Sequence, residues 1–159
     1  MTTDVAAALE PCEFFATLPP KHIDKVARLG SEVHFEKEEI IFREDDESDL
    51  FFVILSGRVA LEARPGGREF RIQTLLPGDE MGWSAMLHRK RQFQARALEP
   101  VRALAFEAQR LREALDTNPY FARAFLERLL NVVAERLQGT RLQLVTALAE
   151  SRSPSVKAG

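Results

Sequence analysis

The sequence predicts a mainly β fold with flanking helices: a jelly-roll barrel of the double-stranded β-helix type, followed by one long C-terminal helix. Two observations support this prediction. Short apolar runs separated by glycine and proline fill the stretch from Val33 to Phe106, which is the pattern of an antiparallel barrel. Beyond this stretch the apolar residues recur every three or four positions, as they do on one face of a helix.

Length and composition limit the class of protein. The chain has 159 residues, of which 45% are hydrophobic and 29% are charged, enough for one core in one domain. No apolar run approaches the roughly 18 residues of a membrane span, and the N-terminus lacks the pattern of a secretory signal. We therefore expect a cytoplasmic protein that does not enter a membrane. The net charge of −2 gives no global sign of nucleic-acid binding.

Residues 1–30 are predicted to form short helices. Between Pro11 and Gly30 the apolar residues are interrupted by Pro19 and Pro20, which favours a short helix, a break and a second helix over about residues 21–29. The single cysteine, Cys12, cannot form an internal disulfide. We expect it to be a passive thiol near the terminus.

Residues 31–107 are predicted to form the barrel. The candidate strands are Val33–Phe35, Glu39–Phe42, Leu50–Leu55, Arg58–Ala63, Phe70–Leu75 and Ala95–Phe106. Pro65, Gly66 and Gly67 predict the tip of a hairpin, because glycine supplies the positive φ that tight turns require. Only Gly82–Leu87, within this region, is typical of a single helical turn.

Residues 108–150 are predicted to be helical, and residues 151–159 to form a disordered tail. After a short amphipathic helix at Ala108–Leu115, Asn118 and Pro119 predict the cap and the first residue of the long helix. Alternating spacings of four and three residues predict a heptad seam at Leu126, Leu130, Val133, Leu137, Thr140, Leu144 and Ala147. A second apolar stripe comprises Phe121, Phe125, Leu129 and Val132.

The two stripes of the long helix suggest two different contacts. We expect the second stripe to pack on the barrel, and the seam to pair with a second copy of the chain in a homodimer. The interface residues are then Leu126, Leu130, Val133, Leu137 and Leu144. In the alternative, both stripes are buried within one molecule.

A series of short motifs carries a family resemblance. They are Leu50–Val59, Gly67–Glu69, Pro77–Gly82, Leu87, Ala95 and Glu135–Thr140. In this order and at these spacings, over roughly residues 14–145, the sequence resembles the cyclic nucleotide-binding domain of the Crp/Fnr family. It is similar to a stand-alone effector domain with a divergent phosphate-binding cassette. The resemblance implies a pocket inside the barrel, in which the helical turn that begins at Gly82 holds a cyclic phosphate.

The resemblance also implies a set of ligand-binding positions. In this sequence they are Gly82, Trp83, Ser84, Ala85, Phe93, Gln94, Ala95 and Thr140. Trp83 stands where the family has a glutamate that bonds the ribose, and Phe93 where it has an arginine that pairs with the phosphate. Losing two charge-assisted hydrogen bonds costs about 3–6 kcal/mol, so we do not expect ordinary binding of cyclic AMP. Trp83 and Phe93 either stack on a flat aromatic ligand or fill the space that the nucleotide leaves.

Two further features of the pocket region allow alternative interpretations. The loop after the helical turn is basic at Arg89, Lys90 and Arg91. It is either a solvated surface cluster, as charge runs usually are, or a replacement for the missing arginine. Arg96 alternates with Ala95 and is expected to point to the opposite face of its strand. Thr140 either reaches a purine from the partner subunit or fixes the register of the seam.

The function that these features predict is that of a single-domain sensor or regulatory module. Its effector is a cyclic nucleotide or an aromatic compound, and it acts through the dimer or a protein partner. Transcription factors of the family continue into a winged helix-turn-helix, whereas only a short tail follows Glu150, so we expect no DNA binding by the chain itself. The alternatives are a ligand-free interaction scaffold with a closed pocket, and cyclic mono- or dinucleotide binding through other contacts.

Of the candidate functions, an enzyme is the one that the sequence favours least. Cupins share the barrel and gather several histidines around a metal, but His22, His34 and His88 lie in three unrelated contexts without the paired spacing of metal ligands. No nucleophile elbow or phosphate-binding loop is present. We therefore expect no catalytic residues, no metal and no cofactor.

Overall fold

The computed structural model describes residues 5–152 apart from residues 11, 13 and 17. Within this range the elements are α1 (Val5–Leu9), α2 (Pro20–Ala27), β1 (Gly30–Phe35), β2 (Ile40–Phe42), β3 (Leu50–Ser56), β4 (Val59–Ala63), β5 (Phe70–Leu75), β6 (Glu80–Met81), β7 (Gln94–Ala97), β8 (Val101–Glu107), α3 (Ala108–Thr117) and α4 (Pro119–Arg152). Two short 3-10 turns lie at Pro65–Gly67 and Trp83–Leu87.

The chain divides into two units, Met1–Phe125 and Leu126–Gly159. The first contains all the strands, helices α1 to α3 and the first residues of α4, and the second contains the remainder of α4. No helix among the described residues combines the length and the apolar character needed to cross a bilayer.

Two antiparallel four-stranded sheets make up the barrel, in the orders β1-β8-β3-β6 and β2-β7-β4-β5. The predicted mainly β jelly roll with flanking helices and a long C-terminal helix is therefore confirmed. In the hairpin of β4 and β5, Ala63 pairs with Phe70. Its tip has Gly66 and Gly67 at φ 63° and 81°, as the sequence predicted for a tight turn.

The interior of the barrel is an apolar core built by alternation along the strands. Its buried members include Phe52, Ile54, Val59, Leu61, Ala95, Ala97 and Ala103. On the other face of β3, Phe51 and Val53 are also buried. Because β3 is covered on both faces, its sequence is an uninterrupted apolar run rather than an alternating one.

A second, aromatic core covers the outer face of the first sheet. The ring centroid of Phe51 lies 5.5 Å from that of Phe14 and 6.0 Å from that of Phe125. Phe106 of β8 is 6.4 Å from Phe51. These tilted and edge-on contacts are the favoured arrangements of aromatic rings. The prediction that the front of the long helix packs on the barrel is confirmed at Phe125.

Several element boundaries differ from the prediction. Helix α1 lies at residues 5–9, within the predicted helical region 1–30 but before the two helices that were placed between Pro11 and Gly30. The single predicted strand Ala95–Phe106 is two strands, β7 and β8, interrupted at Pro100, because proline cannot donate to a sheet ladder. Strand β6 has only two residues, too few to show a period in the sequence.

The long helix agrees with the prediction at its start and extends beyond it at its end. The side-chain Oδ1 of Asn118 accepts a hydrogen bond from N of Phe121 at 3.1 Å, which is the capping bond expected of asparagine. The helix continues to Arg152, so the predicted tail begins at least two residues too early. The rest of that tail, residues 153–159, lies outside the described residues.

Candidate ligand pocket

The predicted helical turn is present as the 3-10 turn Trp83–Leu87. Gly82, which precedes it, has φ 85°, a left-handed conformation that glycine adopts at no steric cost. A Cβ atom at this position would collide with Nη1 of Arg91 and would lie 2.9 Å from the carbonyl oxygen of Leu50. Both the backbone conformation and the available space therefore require glycine here.

Arg91 is the side chain that fills the space beside Gly82, and it is only 4% exposed. Its Nη1 donates to the carbonyl oxygen of Gly82 at 3.0 Å, and its Nη2 donates to that of Leu50 at 2.6 Å. Burial lowers the pKa of Arg91 to about 10, and the nearby Asp49 and Asp46 act in the opposite direction. The guanidinium is therefore still a cation at neutral pH.

The backbone of Arg91 explains why its side chain turns inward. N of Asp45 donates to O of Arg91 at 2.9 Å, and N of Arg91 donates to O of Asp46 at 3.0 Å. This pair of bonds ties the basic loop to the residues that follow β2. Of the basic residues, Arg89 and Lys90 are exposed, as expected of a solvated cluster, whereas that interpretation is wrong for Arg91.

The spacing of residues around Arg91 is not enough to predict its inward position. Arg91, Phe93 and Ala95 are spaced by two residues, and an extended chain places such residues on one face. Ala95 lies in the apolar core of the barrel. The strand that carries Ala95 begins only at Gln94, and Phe93 is 37% exposed, so this alternation does not extend to Arg91.

An aromatic ring covers one face of this guanidinium. Cζ of Arg91 lies 4.3 Å from the ring centroid of Phe42, a cation–π distance. Phe42 is stacked at 6.4 Å from Phe52, which also has Phe35 at 6.1 Å. This end of the interior is thus occupied by three rings and one cation.

The side chains of Trp83 and Phe93, the two residues predicted to stand at the family's charged positions, do not meet. Trp83 is half-buried and Phe93 is 37% exposed. No ring contact joins them among the described residues, so the two rings do not form one aromatic surface.

The remaining predicted ligand residues are in three different environments. Ser84 and Ala85 are buried in the turn, with the Ser84 hydroxyl 2.9 Å from that of Ser48. Gln94 lies on the face of β7 opposite Ala95. Thr140 is exposed in the second unit. The structure therefore brings Gly82 and Ser84 together with Arg91 of the basic loop, and it places Gln94 elsewhere.

Gln94 belongs to a polar network on the outside of the second sheet. Its Nε2 donates to Oε1 of Glu62 at 3.2 Å, and Nη1 of Arg43 donates to its Oε1 at 3.4 Å. Arg96 donates to Glu62 at 3.0 Å and to Glu69 at 2.8 Å. The hydrogen bond with Glu62 is the largest factor that raises the pKa of Arg96. Arg96 therefore points away from Ala95, as strand alternation predicted.

A polar cleft of about 340 Å³ lies beside the 3-10 turn. Its lining comes from residues 47–49, from His88 and Arg89, and from the start of α3. Nη1 of Arg112 donates to the carbonyl oxygen of Ala85 at 2.6 Å, which joins α3 to the turn. None of the predicted ligand residues lines this cleft. Within the described part of the chain, no group of three or more His, Cys, Asp or Glu residues could hold a metal ion.

Comparison with known proteins agrees with this architecture. The chain is 28% identical over 132 residues to the CRP-like cAMP-activated global transcriptional regulator of Mycobacterium tuberculosis, which covers 82% of this chain and 57% of that protein. The chain thus spans little more than half of the length of that curated relative.

Solved structures show the same fold. The N-terminal domain of a transcriptional regulator from Streptomyces coelicolor A3(2) has a TM-score of 0.68 at 28% identity, over 84% of this chain and 94% of that chain. A cyclic nucleotide-binding domain from Methylobacillus flagellatus KT has a TM-score of 0.79 at 16% identity, over 91% and 82%. The second similarity, at such low identity, shows the fold alone.

The family assignment rests on the sequence match to the domain model. The model described as the cyclic nucleotide-binding domain matches residues 32–118, which is more than half of the chain. This span includes the barrel strands β2 to β8, the 3-10 turn beside Arg91 and helix α3. The predicted resemblance is confirmed, and the chain belongs to the cyclic nucleotide-binding domain family.

Proposed function

We propose that the chain is a regulatory module whose pocket does not take cyclic AMP in the ordinary way. The observation that carries the proposal is the position of Arg91, whose guanidinium is held beside Gly82 by main-chain oxygens. The position that the family gives to the phosphate arginine holds Phe93, and that of the ribose glutamate holds Trp83. The pocket has a cation, but at another position and already in contact with the protein.

The relatives support a regulatory rather than a catalytic role, since they are named as regulators. The Mycobacterium tuberculosis protein is named as activated by cAMP, and cyclic AMP is therefore the first effector to test. Two missing charge-assisted hydrogen bonds correspond to about 3–6 kcal/mol, and about 1.4 kcal/mol is tenfold in affinity. On that scale, micromolar binding becomes millimolar or weaker.

A second candidate function is that of a ligand-free interaction scaffold. The observation that favours it is the aromatic filling of the interior, where Phe35, Phe42 and Phe52 are in contact and Arg91 lies over one of the rings. A pocket filled in this way needs no effector for stability. The two candidates differ in one property: only the sensor gains stability from a small molecule.

We further propose that the module is a homodimer joined through the second unit. Large apolar side chains are exposed along it in the single chain, at Leu126, Leu130, Leu137, Leu142, Leu144, Val145 and Leu148. Exposed apolar surfaces of this extent commonly mark interaction sites. The heptad spacing favours a second copy of the same helix as the occupant.

The test of the effector proposal is calorimetric titration with cyclic AMP. The wild-type chain is expected to bind weakly or not at all. The double variant Trp83→Glu, Phe93→Arg supplies a carboxylate that accepts a hydrogen bond from the ribose and a guanidinium that donates two parallel hydrogen bonds to the phosphate. It is expected to bind cyclic AMP more tightly. A matched control, Trp83→Gln with Phe93→Gln, removes the same rings without adding charge and is expected to stay weak.

Tight binding by the wild type would overturn the proposal, and so would equal binding by the charged and uncharged double variants. A thermal-shift screen with cyclic mononucleotides, cyclic dinucleotides and small aromatic compounds separates the two candidate functions. A ligand at a hundred times its dissociation constant adds about 2.7 kcal/mol of stability. A melting point that no compound in the screen changes would favour the scaffold.

A further inference from the structure

Arg91 is a buried cation that forms no ion pair with any described residue. Its hydrogen-bond acceptors are the carbonyl oxygens of Gly82 and Leu50 and, at 3.4 Å, the hydroxyl of Ser84, all of which are neutral. Among the described residues no carboxylate lies within 4 Å of it. Removing a charge from water without a counter-charge is costly, so the guanidinium is only partly compensated.

One donor of this guanidinium also has no acceptor. Nε of Arg91 is buried and makes no hydrogen bond to any described residue. Buried polar atoms in proteins almost always have a partner. The two acidic side chains that act on the guanidinium, Asp49 and Asp46, are both exposed, so they remain solvated and do not take up this N–H.

We propose that Arg91 is the anchor for a small oxyanion ligand, a carboxylate or a phosphate, which its Nε and Nη2 bind side-on. This edge of a guanidinium matches the two oxygens of such a group with parallel hydrogen bonds. In the structure Nη2 contacts only the oxygen of Leu50 and Nε has no acceptor. The inference rests on the proposed function, because it supplies an effector class for a pocket that lacks the usual nucleotide contacts.

The surroundings of Arg91 favour a small ligand without a sugar. Phe42 covers one face of the guanidinium, so the N–H edge rather than that face is the part that can bind a ligand oxygen. Trp83 stands where the ribose contact is expected and offers no acceptor for a hydroxyl, since its indole N–H is only a donor. The ligand class is therefore one in which the anionic group itself provides most of the recognition.

The experiment measures the melting temperature of the full chain with sodium phosphate, acetate or benzoate, at an ionic strength matched with sodium chloride. For the wild type we expect at least one oxyanion to raise the melting temperature by several degrees in a saturable way. The variant Arg91→Gln is expected to lose this rise. Arg91→Lys is expected to retain a smaller one, because an ammonium lacks the planar fork.

The matched control is Arg58→Gln. Arg58 is exposed and pairs with Glu99 at 3.1 Å, so this variant removes an arginine of the same barrel away from the pocket. It is expected to respond to oxyanions as the wild type does. An equal response in Arg91→Gln and wild type, or no response in the wild type to any of the three anions, would overturn the proposal.

A second measurement keeps the test decisive if Arg91→Gln does not fold. Proton–nitrogen NMR spectra of the wild type contain one Nε–H resonance for each arginine. The resonance of Arg91 is identified as the one that is absent from the spectrum of the Arg91→Lys variant. Titration with the oxyanion is expected to shift this resonance and to leave that of Arg58 in place. An unchanged Arg91 resonance would contradict the inference, whereas tight binding of cyclic AMP would contradict the proposed function instead.

Discussion

At the scale of single residues, His22 links the second helix to the start of the long one. It is buried, its ring is stacked on that of Phe121 at 5.7 Å, and its Nδ1 lies 3.5 Å from Nδ2 of Asn118. Burial is the main cause that lowers its pKa, and the charges of Lys21 and Lys25 act in the same direction. The folded protein therefore favours the neutral imidazole.

This shift predicts a pH dependence of stability. An unfolded histidine has a pKa of about 6.5, so below that pH the unfolded chain binds a proton that the folded chain resists. Stability is then complete above the unfolded pKa and is lost as the pH falls through the window below it. Urea unfolding between about pH 7.5 and about pH 5.5 is expected to show a steeper loss for wild type than for His22→Gln. Parallel losses in the two proteins would contradict this.

Gly82 provides a second prediction at this scale. Replacement by alanine imposes the left-handed conformation on a side chain, at about 1–2 kcal/mol, and the added Cβ collides with Arg91. Overpacking of this kind adds about 1–3 kcal/mol. Gly67 is the control, since it has φ 81° with no atom within 4 Å of a built Cβ, and Gly67→Ala bears only the conformational cost. Equal losses of stability for Gly82→Ala and Gly67→Ala in denaturant unfolding would show that the Arg91 side chain can move away from the added Cβ.

At the scale of elements, the long helix combines two surfaces with different roles. Its first residues, Phe121 and Phe125, are buried in the aromatic core. Farther along, Leu137 is 50% exposed and lies on the heptad seam. Exposing a leucine side chain to water is unfavourable because its apolar surface must be hydrated. Pairing with a second helix buries this surface and removes that cost.

The seam predicts the effect of a charge on assembly. Leu137→Glu places a carboxylate in the dimer interface, where desolvation costs several kcal/mol per ion, and is expected to yield monomers. Gln138→Glu adds the same charge one position outside the seam and is expected to stay dimeric. Sedimentation equilibrium distinguishes the two. A wild type that is already monomeric at micromolar concentration would remove the dimer proposal.

At the scale of the whole molecule, the aromatic core joins segments that are distant in sequence. Phe51 contacts Phe14 near the N-terminus, Phe106 on β8 and Phe125 on the long helix. All four side chains are buried. The helices therefore depend on the outer face of the first sheet, and the barrel is closed on that side by them.

Truncation of Phe51 tests this dependence. Phe51→Ala is expected to reduce the free energy of unfolding by about 3–5 kcal/mol, because it leaves a cavity where three segments meet. Phe70→Ala is the control, since Phe70 is 52% exposed on β5 and its truncation should change stability by about 0.5 kcal/mol or less. Similar losses for the two variants, measured by chemical denaturation, would show that the aromatic core is not the main contact.

The features that the sequence predicted correctly are local ones. The hairpin tip at Gly66 and Gly67, the cap at Asn118 and the turn after Gly82 each follow from the conformational preferences of one or two residues. The strands and the long helix follow from the period of the apolar residues. The family resemblance, carried by short motifs in a fixed order, belongs with them and is confirmed by the domain match.

The sequence by itself thus determined the class of fold and most of the elements, and it predicts the loss of the family's two charged contacts. Only the tertiary structure decided where the basic residues go: Arg91 is drawn inward because its backbone pairs with Asp45 and Asp46, which no local pattern encodes. The same holds for Gln94, which bonds Glu62 more than thirty residues away. Such contacts form between segments that only the completed barrel brings together, so their partners cannot be read from spacing along the chain.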